Sequence, residues 1–456
     1  VLLVGLDIGT TAVKAVVYDE DGAALAEGRS TTPWSVSDKG TQLEAPELLE
    51  AAASALTSAL SAAPNGAVAS IGVTSMGESG VLIGRDGKAL GPVIAWHDRR
   101  DLAELKSLRT AISEDLFAAR TGLPLREQWS LTKHRWLLAH VPETRQAMLR
   151  LNIAEWMAYA LGGAPVSELS LASRTGWMDL TSRNWWSETL EWAGATQALM
   201  PELAVAGTSL GTVSAGAGIS RLTGAAITVA GHDHQAAVVG AGAYLPGDVL
   251  DSCGTAEALV RIVDPAVSEP ALLELTSAGI TAGWSVLDQK WTLLGGTQAG
   301  LVLQNALNML GLDTTDIARL DAEASHSANP LYATIHAGQE LVLHGPTNSR
   351  SQADIWRAAL GAVTQQALDV HSRMTQAAGT PSRMVVTGGW SLSKGLLENK
   401  EKVFGPLTVS PAKEAGARGA ALFGGLAAGI YRSVEEFPSG TNQRSHTTHR
   451  TEGALQ

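Results

Sequence analysis

Between Leu2 and Ser30 the apolar positions fall into three short runs, with β-branched residues concentrated at Val13 to Val17. Polar residues around Gly9, Thr10 and Thr11 separate the first two runs, and Asp21-Gly22 separates the last two. Short runs bounded by small polar residues predict strands, and an Asp-Gly pair predicts a tight turn. The chain therefore opens as an antiparallel meander. Too few residues part the first two strands for a helix, so Asp7, Gly9, Thr10 and Thr11 belong to a hairpin loop.

Farther on, residues 46 to 63 are rich in Ala and Leu behind Pro46, which predicts a helix, and AVASIGVTSM (67–76) returns to strand character. A second hairpin turn is predicted at Arg85, Asp86 and Gly87, ahead of PVIAWHDRR (92–100). Helical spacing of Ala and Leu fills much of 100 to 160. From Ile227 a second meander is predicted, with strand-like runs at 227–230, 248–252 and 256–262. The loop between the last two holds Ser252, Gly254 and Thr255, so strand, small polar loop and strand recur as a pseudo-repeat of the opening. A third apolar run, MVVTGGW (384–390), ends in paired glycines, and EAGARGAALFGGLAAG (414–429) follows a helix-like stretch. Residues 438–456 lack apolar periodicity and read as a loose tail.

Composition narrows the class. A chain of 456 residues exceeds one ordinary core, and a scale of about 100–200 residues per domain predicts two large ones. Hydrophobic residues at 45% against charged residues at 17% fit a compact globular protein. The formal net charge of −12 has no basic block to set against it, which argues against nucleic acid and anionic membrane as partners. Cys253 is the only cysteine, so there is no intrachain disulfide and no cysteine-based zinc site. No apolar run reaches the roughly 18 residues of a membrane span, and VLLVGL meets Asp7 too soon for a signal-peptide core. The expectation is a cytoplasmic protein.

The loops carry the chemistry. A phosphate chain calls for closely approaching backbone N–H donors, hence glycine, and for hydroxyls; a divalent ion on its oxygens calls for a carboxylate. DIGTT (7–11) supplies all of these. Asp7 is placed to hold Mg²⁺ through water, with Gly9, Thr10, Thr11 and Lys14 along the phosphates. The competing reading is a strand-end aspartate in an Asx turn. Neither the GK[ST] of a Walker A loop nor a GxGxxG opening a helix is present. CGTAEA (253–258) offers a second loop, and two facing loops could grip one triphosphate, although Gly254 and Thr255 also fit an ordinary tight turn. Gly388 and Gly389 could let backbone lie flat against an adenine ring, and close strand-to-helix packing accounts for them nearly as well.

Asp233 lies in GHDHQAA (231–237) between His232 and His234. A kinase acting on a hydroxyl needs a carboxylate within reach of that hydroxyl's proton, a contribution of about 10²–10⁴ in rate. Two histidines and an aspartate also suggest a metal site. The alternation of a strand-like segment would turn both histidines to the face opposite Asp233, which favours the catalytic base.

In order and spacing these segments resemble the FGGY family of carbohydrate kinases, which includes glycerol kinase, xylulokinase and gluconokinase; the match runs from Leu2 to about Gly429. The resemblance implies an α/β fold of two actin-like ATPase (ribonuclease H-like) domains with a deep cleft between them. The N-terminal domain, 1–243, would hold the sugar, the first phosphate loop and the catalytic aspartate; the C-terminal domain, 244–437, would bind the nucleotide; 438–456 would be the tail. ATP and Mg²⁺ are the implied cofactors. DIGTTAVK is similar to the first phosphate motif, which assigns Mg²⁺ to Asp7 and phosphates to Thr10, Thr11 and Lys14. GHDHQAA is similar to the segment of the catalytic base, which falls on Asp233 beside the metal, with His234 at a substrate-contacting position. SCGTAEA resembles the second phosphate motif, which places Gly254 and Thr255 on the phosphates. Gly300 and Gln304 match nucleotide-touching positions, and Gly388, Gly389 and Ser393 fall on the adenine-binding turn. PVIAWHDRR resembles the family's Pro-Ala-Ile-x-Trp-x-Asp-x-Arg stretch, which assigns Trp96 and Asp98 to the substrate, and VSELSLASRTGWMD (166–179) resembles a segment lining the first domain.

The departures bear on the substrate. SMGESG (75–80) stands where xylulokinases carry Gln-Met-His-Gly, and Glu78 aligns with a hydroxyl-holding glutamate of glycerol kinases. Gly77 replaces the arginine that precedes that glutamate, which argues against glycerol itself. Trp390 replaces a small residue beside the adenine turn, Lys402 stands where many relatives have Asp, and His234 where Asn or Gln is usual. The expected activity is ATP-dependent phosphorylation of a small sugar or sugar alcohol, with a pentulose or polyol foremost. Rival functions are an actin-like ATPase without a sugar pocket and a degenerate kinase acting as a regulator. Glu78, Trp96, Asp98, Arg99 and Asp233 form a polar constellation that a filament does not need. A homodimer is compatible with such a kinase.

Overall fold

The computed structural model describes residues 1–38, 40–345 and 350–439, so the expected tail lies, past Ser439, outside the described residues. Two mixed sheets organise the chain. The first comprises β1 (Leu2–Ile8), β2 (Ala12–Tyr18), β3 (Ala24–Thr31), β4 (Val68–Ser75) and β5 (Ala226–His232), in the order β5-β4-β1-β2-β3. Its first three strands form the expected antiparallel meander, and β4 and β5 add in parallel. The second comprises β6 (Asp248–Cys253), β7 (Glu257–Val263), β8 (Thr281–Trp284), β9 (Trp291–Thr297), β10 (Arg383–Thr387) and β11 (Leu407–Val409), in the order β8-β9-β7-β6-β10-β11. Without the edge strand β8 it repeats the first: an antiparallel β6-β7-β9 meander with β10 and β11 added in parallel.

One expectation needs correction. The run at Ile227 does not open the second meander but forms β5, at the edge of the first sheet, where Ile227 and Val229 pair with Ile71 and Val73 and are buried. The third strand of the second meander is β9, about thirty residues beyond β7 in the chain rather than before β6.

Helices α1 (Ala45–Ala62), α2 (Asp233–Gly240), α3 (Ala299–Met309), α4 (Gln352–Ala378), α5 (Lys394–Phe404) and α6 (Ala415–Ala427) pack on these sheets. Leu48, Ala52, Ala55, Leu56 and Ala59 recur at helical spacing in α1, and all are buried against Val4, Leu6 and Val13. Successive strand residues face opposite sides, so Leu3 and Gly5 turn instead to α6. There helix and sheet meet backbone to backbone: a β-carbon on Gly5 would lie 1.8 Å from the Ala417 carbonyl oxygen, and one on its register partner Gly72 1.8 Å from that of Ala420. Likewise a β-carbon on Gly419 would lie 1.9 Å from the Ala236 carbonyl oxygen of α2. Helix α6, though it follows the second sheet in sequence, is thus seated on the first. Helices α3, α4 and α5 cover the second sheet around Trp356 and Leu303. No helix of the described residues is long and apolar enough to cross a membrane.

Candidate active site

The two sheets present corresponding hairpins. The β1–β2 ladder ends at the pair Ile8 and Val13, and the Gly9 N–H closes the loop by donating to the Ala12 carbonyl (3.0 Å). Two indoles brace it: Trp34 Nε1 donates to the Thr10 carbonyl (2.7 Å) and Trp96 Nε1 to Thr10 Oγ1 (3.0 Å). The β6–β7 ladder ends at Cys253 and Glu257, leaving Gly254, Thr255 and Ala256 as the loop. Here α3 abuts the loop, with the Leu301 N–H on the Thr255 carbonyl (2.9 Å) and a Gly300 β-carbon position only 2.0 Å from the Gly254 carbonyl oxygen. The turn after β10 lies on the same loop: Gly388 has φ of 95°, and a β-carbon there would meet the Cys253 carbonyl oxygen at 2.5 Å. In ladder register Ser252 and Ala258 occupy the places of Asp7 and Lys14, so the first hairpin alone carries a carboxylate there.

Between the sheets lies a cavity of about 270 Å³, lined by Thr10, Glu78, Trp96, Asp233 and His234 on one side and by Ala256, Thr297 and Gln298 on the other. Larger grooves beside Arg261 and Arg418 contain no residue of either hairpin loop. Asp233 does not sit in a strand. β5 ends at His232, a bulge between Val229 and Gly231 and the positive φ of Gly231 turn the chain, and Asp233 begins α2. His232 and His234 therefore do not alternate with it across a sheet: His232 Nε2 lies 3.3 Å from Asp233 Oδ1, and the His234 N–H donates to the same oxygen (2.7 Å). Burial first, and then the Arg174 guanidinium, pull His234 down to about 4 and His232 well below its ordinary value, so both imidazoles are neutral near pH 7.

Deeper in the cavity, Glu78 takes a left-handed φ of 65° that aims its carboxylate at Arg174, whose Nε donates to Oε1 at 2.5 Å. Gln128 Nε2 donates to the same oxygen (3.0 Å), and Ser130 Oγ to the Glu78 carbonyl (2.5 Å). Arg126, Gln128, Arg174, Thr297 and Gln298 were not singled out from the sequence. Arg174 lies within VSELSLASRTGWMD, so a resemblance pointed to its segment; Arg126 and Gln128 come from a loop, and Thr297 and Gln298 from the end of β9 and the cap of α3, with no spacing or composition to mark them.

Residues 2–240 match the family model for the N-terminal domain of the FGGY carbohydrate kinases. The chain belongs to that family. It is 30% identical to the glycerol kinase of Aromatoleum aromaticum, over 96% of this chain and 92% of that one, and 29% identical to the glycerol kinase of Bordetella parapertussis, over 95% and 90%. Among solved structures, the xylulose kinase from Rhodospirillum rubrum superposes with a TM-score of 0.86 at 22% identity, covering 97% of this chain and 93% of that one. The Plasmodium falciparum glycerol kinase with ADP gives 0.84 at 19%, covering 96% and 92%. The latter two show a shared fold of two actin-like ATPase units. This FGGY kinase is a phosphotransferase with an alcohol group as acceptor, and ATP with Mg²⁺ as donor.

The kinase's carboxylates fit such a cation. Asp7 Oδ1 is buried without a hydrogen-bond partner, an oxygen a divalent ion or its water would satisfy. Burial, followed by the charge of Asp233, raises Asp7 to about 7, while Lys14 works against the rise. Asp233 is also raised to about 7: a quarter of its side-chain surface opens on the cavity, but protein surrounds it, so lost hydration leads and Glu78 adds to it. The oxygen-only donor set suits Mg²⁺.

The other expected residues are dispersed around this centre. Lys14 is paired with Glu414, at the start of α6 (2.6 Å), and Thr11 is exposed. Asp98 lines no part of the cavity; Arg100 Nε (2.9 Å) and the Thr41 N–H take its carboxylate. Gln304, on α3, donates to Asn308 (3.2 Å). Gly389 is open, whereas Ser393 is buried, donates to Asp321 (2.9 Å) and caps α5 by accepting from the Leu396 N–H (3.1 Å). Trp390 lies against Gly300, and Lys402 is exposed in the last turn of α5.

Beneath the second loop, the fully buried Lys400 donates to both Asp251 and Glu257, with Cys253 Sγ 3.2 Å from Asp251 Oδ1. Asp251, Cys253 and Glu257 form a cluster of metal-ligand type, but the ammonium already lies on both of its carboxylates. Burial alone would lower Lys400; Asp251, Cys253 and Glu257 outweigh it and keep the lysine charged.

Proposed function

We propose that this kinase transfers the terminal phosphoryl group of ATP to a hydroxyl of a small sugar or sugar alcohol, a pentulose or polyol, with Asp233 as general base. The carrying observation is the Asp233 carboxylate, which opens on the cavity between the two hairpins with a pKa near 7, where a base is most effective. The sugar lies against Glu78, Trp96 and His234. Gly9, Thr10 and Thr11 face Gly254 and Thr255 across the phosphates, while Gly300, Gln304, Gly388 and Gly389 border the nucleotide. Lys14 and Glu414 tune Asp7, which with Asp233 would hold Mg²⁺, whose charge would offset that of the transferring phosphoryl group. Asp233 accepts the proton of the attacking hydroxyl, and closure of the walls keeps out water, a competing acceptor.

Glycerol itself is not the substrate we favour. A β-carbon on Gly77 would already lie 3.0 Å from His232 Cδ2 and 3.1 Å from Arg174 Cδ, so the arginine of the glycerol kinase motif would fit here only if both side chains moved aside. The single, buried Cys253 is suited to a reducing cytoplasm. The test is Asp233→Asn. Sugar-dependent ADP release falls by about 10²–10⁴ while nucleotide binding is kept; turnover near that of the unaltered enzyme refutes the assignment.

A further inference from the structure

The cavity carries a cation that no carboxylate among the described residues pairs with directly. Arg126, in the loop ahead of the helix Ser130–His140, lines it, and its Nε is buried without a hydrogen-bond partner. The carboxylates around it are engaged elsewhere: Glu78 by Arg174 and Gln128, and Glu127 by Arg99 at 3.0 Å. The Arg126 guanidinium lies 5.2 Å from the ring centre of the fully buried Trp129, which also carries Arg174 at 5.4 Å. Stacking on an indole uses the flat face of a guanidinium and leaves its N–H edge free for a planar acceptor. Burial and the repulsion of Arg174 lower Arg126, and Glu78 and Glu127, each held by another arginine, offset this only in part. A charge so placed is costly unless something pairs with it.

Its position along the cavity says what that partner is. Arg174 shares the Trp129 ring with Arg126, and its Cδ lies with His232 Cδ2 beside the β-carbon position of Gly77 (3.1 and 3.0 Å), His232 being the imidazole 3.3 Å from Asp233. The Glu78–Arg174 pair thus links the neighbourhood of the base to that of the free guanidinium. We infer that the acceptor is a polyol bearing a carboxylate at the end remote from the reacting hydroxyl, a sugar acid whose carboxylate closes on the edge of Arg126. Two N–H groups of one guanidinium edge match the two oxygens of a carboxylate. A phosphate monoester would bring further negative charge close to Glu78, which one free cation does not offset. A neutral polyol would leave Arg126 as it is, half-buried with its Nε unpaired. The inference rests on the kinase reading above, with Asp233 as the base.

Coupled ADP release by the full chain with ATP and Mg²⁺ tests it. Tetronates, pentonates and hexonates are each compared with the alditol of matching configuration and with the corresponding sugar phosphate. At least one acid is expected to exceed its alditol in kcat/KM by roughly 100-fold or more. Arg126→Gln removes that advantage and leaves the KM for ATP unchanged, and Arg126→Lys, a charge without the planar fork, keeps part of it. An alditol, ketose or sugar phosphate used as well as the best acid overturns the inference and leaves the kinase reading intact. So does an Arg126→Gln effect confined to the KM for ATP. Absence of acceptor-dependent ADP release across the panel removes the kinase reading and this inference together. If Arg126→Gln does not fold, the ratio of acid to alditol in the unaltered enzyme decides.

Discussion

Gly416 stands against Asp7: a β-carbon on Gly416 would lie 2.6 Å from the Asp7 Oδ2. Alanine at 416 must displace that carboxylate, whereas alanine at 419, on the same helix, would drive into the Ala236 backbone. Helix propensity favours both changes by about 1 kcal/mol, so local preference cannot separate them. Gly416→Ala is expected to cost Mg²⁺-dependent turnover at least about tenfold with little loss of Tm, and Gly419→Ala to cost about 1–3 kcal/mol or more of stability. Thermal unfolding beside the ADP assay checks the contrast; the reverse ranking contradicts it.

The raised values of Asp7 and Asp233 give a pH dependence with a definite sign. A base works only when ionised, so kcat/KM for the acceptor rises with pH through about 7. Excess Mg²⁺ favours the ionised pair and moves that rise to lower pH. Because both folded values lie above the ordinary 3.8, the pair's contribution to stability is complete in acid and is lost as pH rises through about 7. Mg²⁺ should therefore raise Tm more above pH 7 than below pH 5. Rate profiles at two Mg²⁺ concentrations that superimpose would count against the pair.

Lys400→Met strands two buried carboxylates, and breaking a buried ion pair in this way costs about 3–5 kcal/mol. Adding Glu257→Gln should recover part of that loss, since one uncompensated charge is removed. Denaturant unfolding of the single and double variants measures the coupling. Equal stability of Lys400→Met and the parent would show that the ammonium is not what holds Asp251 and Glu257 together.

Trp34 and Trp96 donate to the same threonine, but only Trp96 also lines the cavity. Each neutral hydrogen bond is worth about 1 kcal/mol, or roughly fivefold in affinity. Trp34→Phe is expected to raise the KM for ATP alone, and Trp96→Phe to raise it for both ATP and acceptor. Steady-state kinetics with each substrate varied in turn separates the two patterns.

Much of this was legible in the chain because it depends on neighbours in sequence. The β1–β2 loop, the α1 helix and the repeat of strand, loop and strand at Asp248–Val263 all follow from local alternation and turn chemistry. The misplacement of Ile227 was of another kind: a strand's partner is chosen by long-range pairing, and an apolar run looks the same in either sheet. Asp233 looked strand-borne because the turn made by Gly231 and the end of β5 at His232 come without any change in apolar pattern before them. Arg126 and Gln128 reach the cavity from a loop whose course depends on Trp129 packing, and Ser393 matches a family position yet turns its hydroxyl to Asp321. Motifs report which backbone is present; the direction of a side chain depends on what lies across from it.

The seating of α6 on Gly5 and Gly72 has a mechanical consequence. Contacts made through bare main chain cannot slide by trading one side-chain conformation for another, so the first sheet, α2 and α6 must travel as one rigid body. Asp7 and Asp233 ride on that body, and the chain links it to the second sheet through two short segments, 241–247 and 410–414. In the proposed closure the acidic pair would stay put and the second hairpin would swing in to meet it.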